Sequence, residues 1–134
     1  CRGESNYMLL ERPDTDYRSW RGEEIHNSAC RLGVTPVLAH IERYLDWYST
    51  AQMQEVLAVP GTIRQINCES LSSRRRPKFI LSPFKKGDTI LYGTDTHHME
   101  RRPPSADWIP RVLKKKLSAA QFENWNTESN GLIP

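Results

Sequence analysis

Apolar residues occur in short runs, each closed by a polar residue. Tyr7-Met8-Leu9-Leu10 ends at Glu11, Thr35-Pro36-Val37-Leu38-Ala39 at His40, Thr62 to Ile66 at Asn67, and Thr89 to Tyr92 at Gly93-Thr94-Asp95. Such short runs predict strands, the apolar ones buried; Thr62 to Ile66 also carries Arg64 and Gln65. Between them the spacing changes to that of helices. Ile25, Ala29 and Leu32 fall at i, i+4 and i+7, with Ser19 as the expected cap and Gly33 as the stop. Met53, Val56 and Leu57 share a second helical face that begins at Ser49 or Thr50 and stops at Pro60-Gly61. Ser105 is expected to cap a third helix despite Pro110, and Ser118 a last one through Phe122 and Trp125. Pro77 and Pro83 break the stretch from Ser70 to Lys86 into loop and partial helix.

Strands alternating with helices imply an α/β fold with parallel strands and right-handed crossovers. Ligands in such folds bind at the carboxyl ends of the strands. Glu11, His40, Asn67 and Asp95 therefore fall along one expected edge. Asp95 and His97, two apart in an extended segment, share a face. Carboxylate and imidazole are hard-to-borderline metal ligands, and arginine is the usual partner of a phosphate oxygen. Arg43 follows His40 by three residues, and Arg101 and Arg102 follow His97. The pattern predicts metal-assisted phosphate chemistry.

Composition narrows this only in places. The 134 residues amount to one domain. No apolar run approaches the roughly 20 residues of a membrane-spanning helix. Cys1, Cys30 and Cys68 are odd in number and widely spaced, which argues against a disulfide framework and fits a reducing cytoplasm. The net charge of +3 conceals an acidic first half and a basic second half. Arg74-Arg75-Arg76, Lys78, Lys85-Lys86 and Lys114-Lys115-Lys116 are either solvated surface or a contact for an acidic partner. No aromatic residues interleave the arginines, so nucleic acid is not the expected ligand. Cys68 and Arg74 have the Cys-x5-Arg spacing of thiol-dependent phosphatases. The intervening loop lacks glycine, and Glu69 beside the sulfur would repel a phosphate, so the spacing reads as coincidence.

The motifs resemble those of the PHP-type (polymerase and histidinol phosphatase) metal-dependent protein-tyrosine phosphatases of bacterial capsule and exopolysaccharide synthesis. The resemblance runs over about residues 7 to 104. It is carried by the strand ending in Glu11, by Gly33-Val34-Thr35-Pro36-Val37-Leu38-Ala39-His40-Ile41-Glu42-Arg43-Tyr44, by Gln65-Ile66-Asn67-Cys68-Glu69-Ser70-Leu71, and by Thr94-Asp95-Thr96-His97-His98 with Arg101-Arg102-Pro103-Pro104. Ile41 stands where the family usually has Pro, and His98 where it usually has Asn.

The resemblance implies a distorted (βα) barrel holding a cluster of divalent ions, manganese first and iron or zinc as alternatives. It implies Glu11 as a bridging ligand and His40, Asp95 and His97 as further ligands. Arg43 and Arg101 or Arg102, the latter favoured by spacing, would hold the phosphate. The implied substrate is phosphotyrosine in the tail of a tyrosine kinase that regulates polysaccharide synthesis.

The family's first strand supplies a His-x-His pair, but only His26 precedes His40, inside an expected helix. The chain is therefore expected to be a single domain over 1–134 that forms the C-terminal portion of such a barrel. Its missing ligands would come from a preceding segment or another chain, which leaves a homo-oligomer open. The alternative is an inactive or incomplete fragment that serves as a basic binding module.

Overall fold

Four short strands take the order β1-β2-β3-β4 in one sheet: β1 (Tyr7–Leu10), β2 (Thr35–Leu38), β3 (Ile63–Asn67) and β4 (Ile90–Gly93). The computed structural model describes residues 6–11, 17–72, 90–96 and 106–131. By internal contacts the chain divides into Cys1–Arg64 and Gln65–Pro134, with the division falling inside β3. Each part is taken by itself below. Arg74 to Lys86, His97, His98, Arg101, Arg102 and Ser105 lie outside the described residues, and the helix that Ser105 was expected to cap is instead preceded by Trp108, without a side-chain cap.

In the first part β1 and β2 pair in parallel from Tyr7↔Thr35 to Leu10↔Leu38, and β2 pairs in parallel with β3 through Val37↔Ile63 and Leu38↔Arg64. Pro36, Val37 and Leu38 are all buried. Such a continuous apolar run is the mark of a strand covered on both faces. The crossover from β1 to β2 contains α1 (Arg21–Leu32), which Gly33 ends at φ 62°, a left-handed conformation that glycine adopts without a Cβ penalty.

Two expectations for α1 differ from the structure. Its cap is Trp20, in helical conformation and with no side-chain hydrogen bond, so Ser19 does not cap it. Of the three apolar positions only Ala29 is buried, whereas Leu32 is 63% exposed. Spacing puts a side chain on a face, but the last turn runs past whatever covers that face.

The second helix, α2 (Thr50–Leu57), begins at Ser49 as expected. Ser49 Oγ accepts from the Gln52 N–H, and Gln52 Oε1 accepts from the Ser49 N–H, a reciprocal capping box. Met53 and Val56 bury its inner face, with Leu57 only half-buried. Beyond it, the buried Arg64 guanidinium donates to the Leu57 carbonyl.

In the second part a short 3₁₀ helix (Cys68–Ser72) follows β3 directly. After β4 come α3 (Ile109–Lys116) and α4 (Ala119–Gly131). Pro110 lies in the first turn of α3, where no helical hydrogen bond is lost, so it starts the helix rather than breaking it. Ser118 forms a second capping box, exchanging hydrogen bonds with Gln121 at 3.3 and 3.0 Å. Buried Ile109, Leu113 and Phe122 form the helical part of this core, and Trp125 stands edge-on to Tyr92 of β4. The alternation of strand and helix and the parallel pairings are those expected from the sequence.

Candidate metal and phosphate site

The β1–β2 ladder closes with the Ala39 N–H donating to the Leu10 carbonyl at 2.9 Å. Glu11 and His40 lie just beyond that last rung, so two adjacent parallel strands deliver them to the same edge. His40 adopts φ 32° and ψ 52°, which stops the extended chain and turns it into a 3₁₀ helix (Ile41–Asp46). The Arg43 N–H donates back to the His40 carbonyl at 3.0 Å. This turn was not foreseen, because Ile41-Glu42-Arg43-Tyr44 carries neither a helical nor a strand period.

A left-handed non-glycine residue costs on the order of 1 kcal/mol and persists only where its surroundings enforce it. Here the enforcement is packing. Ile41, Glu42 and Tyr44 are buried, and Tyr44 is wholly inaccessible. The ring of Tyr44 stacks on Tyr48 at 5.5 Å, Tyr48 meets Tyr17 edge-on at 5.1 Å, and the Tyr17 hydroxyl donates to Glu55. His40 meets Tyr44 at 6.3 Å. Ile41, in the usual proline position, fills core space, which explains why an apolar side chain serves there. Arg43 is exposed in the middle of this buried turn.

His40 Nε2 lies 3.0 Å from Glu11 Oε1. The imidazole is 8% exposed and the carboxylate 61% exposed, so a buried nitrogen faces an open oxygen. Two ligands held at right angles at about 2.1 Å from one ion also lie about 3.0 Å apart. Donor chemistry and donor spacing therefore both fit a divalent first-row ion. Among the described residues no three His, Cys, Asp or Glu side chains converge, and His97 is outside them.

The second part holds another strand-end arrangement. Gln65 Nε2 donates to Asn67 Oδ1 at 3.0 Å, and Asn67 Nδ2 donates to Asp95 Oδ2 at 3.5 Å. Asp95 takes φ 51°, and with His40 it makes up the left-handed non-glycine residues among those described. Both are residues that the family resemblance implies as ligands. Asn67 is the last residue of β3 rather than the first beyond it. Gln65 had no expected role; its signal was the Gln-x-Asn spacing, which puts two amides on one strand face.

Other candidates recede. Cys68 is buried at 2% exposure, so its thiol is not presented to a substrate, and Arg74 lies outside the described residues. His26 has a structural contact, with Nδ1 at 3.3 Å from the Pro60 carbonyl. An open groove of about 690 Å³ in the first part is lined by Trp20, Glu23, His26, Glu55 and Val59 among others, and includes none of the expected ligands. No helix among the described residues is long and apolar enough to cross a membrane.

A family model described as capsular polysaccharide synthesis, CpsB/CapC, matches residues 2–131. The chain is 30% identical over 131 residues to the tyrosine-protein phosphatase CpsB of Streptococcus pneumoniae, covering 87% of this chain and 51% of that protein. Its fold superimposes with a TM-score of 0.72, at 18% identity, on a solved structure described as one of YwqE from Bacillus subtilis and CpsB from Streptococcus pneumoniae, unique metal-dependent tyrosine phosphatases. That match covers 97% of this chain and 53% of the other. The chain thus spans about half the length of the relatives it matches. The resemblance drawn from its motifs is borne out.

Proposed function

The chain belongs to the CpsB/CapC family of capsular polysaccharide synthesis, and on that premise we propose that it carries part of the catalytic edge of a metal-dependent protein-tyrosine phosphatase. The observation that carries this reading is the Glu11–His40 pair, an imidazole and a carboxylate 3.0 Å apart at the ends of adjacent parallel strands. Glu11, His40, Asp95 and His97 are the residues that would hold divalent ions, with manganese the metal proposed. These four do not complete a multinuclear site, and further ligands are expected from outside these 134 residues.

Divalent ions, when bound, supply Lewis-acid activation of water and neutralise charge on the phosphoryl oxygens. The chain's own residues do the rest. Tyr44, stacked on Tyr48, stands edge-on to the His40 ring at the strand end, where the imidazole would serve as a ligand. Arg43, exposed three residues on, offers a planar guanidinium that can grip two phosphoryl oxygens at once. Arg102, or Arg101, is assigned the same task from the other half. The proposed substrate is phosphotyrosine on the cytoplasmic tail of a kinase that controls capsule or exopolysaccharide synthesis.

Hydrolysis of a phosphotyrosine peptide by the full-length protein tests this. Chelation should abolish turnover and manganese should restore it, while Cys68→Ser should leave the rate unchanged. Full turnover in the presence of chelator would refute the metal reading, and loss of turnover in Cys68→Ser would return the thiol to consideration.

A further inference from the structure

One stretch of the second part is built around an absent side chain. A Cβ placed on Gly93 of β4 would collide with the side chain of Gln65 on β3, its terminal amide nitrogen above all. Gly93 is not in a left-handed conformation, so the glycine is there for space and not for backbone freedom. The space is taken by the amide that donates to Asn67 Oδ1 at 3.0 Å, and Asn67 in turn donates to Asp95 Oδ2 at 3.5 Å.

The direction of this chain follows from charge. A primary amide has one accepting end and one donating end. Gln65 presents a donor to Asn67, which commits the Asn67 oxygen inward. The Asn67 nitrogen is then turned toward the carboxylate, where a carbonyl oxygen would be repelled. Asp95 sits in a strained left-handed backbone at the end of β4, and a hydrogen bond to its carboxylate limits the rotation such a residue otherwise has.

We infer that Gln65 and Asn67 are positioning residues that hold the Asp95 carboxylate for its metal, and that Gly93 exists to seat Gln65. The inference rests on the assignment of Asp95 as a metal ligand. Partners that orient ligands in this way are worth about 10–100-fold in metal affinity.

The test is a titration of manganese into the full-length protein by calorimetry, with the melting temperature of each metal-free variant measured alongside. Gln65→Glu keeps the size of the side chain but replaces the donor with an acceptor, so Asn67 should turn over and present oxygen to Asp95. Manganese affinity is expected to fall about 10–100-fold with the metal-free melting temperature unchanged. Gly93→Ala should produce a similar loss in the wild-type background and no further loss in a Gln65→Ala background, because the three atoms nearest that Cβ all belong to Gln65.

Wild-type affinity in Gln65→Glu, or losses from Gly93→Ala that are equal in both backgrounds, would overturn the inference. Asp95→Ala separates the two levels. If it removes manganese binding while Gln65→Glu does not, the positioning role fails and the ligand assignment stands. If Asp95→Ala binds manganese like the wild type, both fail.

Discussion

His40 and Asp95 hold the same unusual backbone at the ends of strands, but their surroundings support it by different means. His40 is buried at 7% exposure, edge-on to Tyr44 at the head of a stack of tyrosines, and Ile41, Glu42 and Tyr44 of its own turn are buried. Asp95 is half-buried and reached by a line of amides from the interior of β3. An imidazole can be held largely by packing because most of its surface is ring, with one nitrogen here met by the Glu11 carboxylate. A carboxylate cannot, since burial without hydrogen bonds penalises its charge. Each ligand type has drawn the support that its chemistry allows.

The largest expected effect attacks the packed corner. Tyr44→Ala removes a wholly buried ring and should cost about 3–5 kcal/mol, read as a shift in a denaturant midpoint. It should also weaken manganese binding, because His40 loses the surface that fixes it. A stable variant with intact metal affinity would show that the corner does not depend on packing.

Removing the ligands themselves comes next. His40→Ala and Asp95→Ala should each lower manganese affinity by more than the roughly 10–100-fold that a supporting residue is worth. The two should part in stability. His40→Ala leaves a gap in the core and should lower the melting temperature more than Asp95→Ala, which loses what alanine costs in a left-handed conformation, about 1 kcal/mol. Equal losses of stability would break the contrast between the two regions. Asp95→Asn sharpens it further. Asparagine tolerates the left-handed conformation, so the metal-free protein should keep its stability to within about 0.5 kcal/mol while losing metal.

How far this could be read from the chain alone differs between the two regions. The strand ends were legible because each apolar run is short and stops at a polar residue, as at Leu10-Glu11 and Tyr92 to Asp95. The helix starts at Ser49 and Ser118 were legible because Ser-x-x-Gln states both halves of a capping box. The buried turn after His40 was not. Glu42 is charged and yet 2% exposed, and hydropathy assigns such a residue to the surface. Leu32 erred in the opposite sense, as an apolar residue left in solvent. The amide line from Gln65 to Asp95 joins residues far apart in sequence, so no local pattern encodes its last link. Arg43 is a middle case: its spacing from His40 marked it, and its exposure within a buried turn is what the structure added.

The smallest expected effect checks whether the contrast is confined to the strand ends. Ser49 caps a helix in the first part and Ser118 one in the second, through the same pair of hydrogen bonds to a glutamine three residues on. Neither belongs to a proposed ligand or to its support. Replacing either serine by alanine strands one helix-end N–H and should cost about 1 kcal/mol. Both variants should bind manganese as the wild type does. Because the capping geometry is the same, the two costs should match, in contrast to the unequal stabilities expected of His40→Ala and Asp95→Ala. A cap in one part worth several times the other would mean that the parts differ in overall stability. The disparity at the strand ends would then reflect that difference and not the chemistry of an imidazole against a carboxylate.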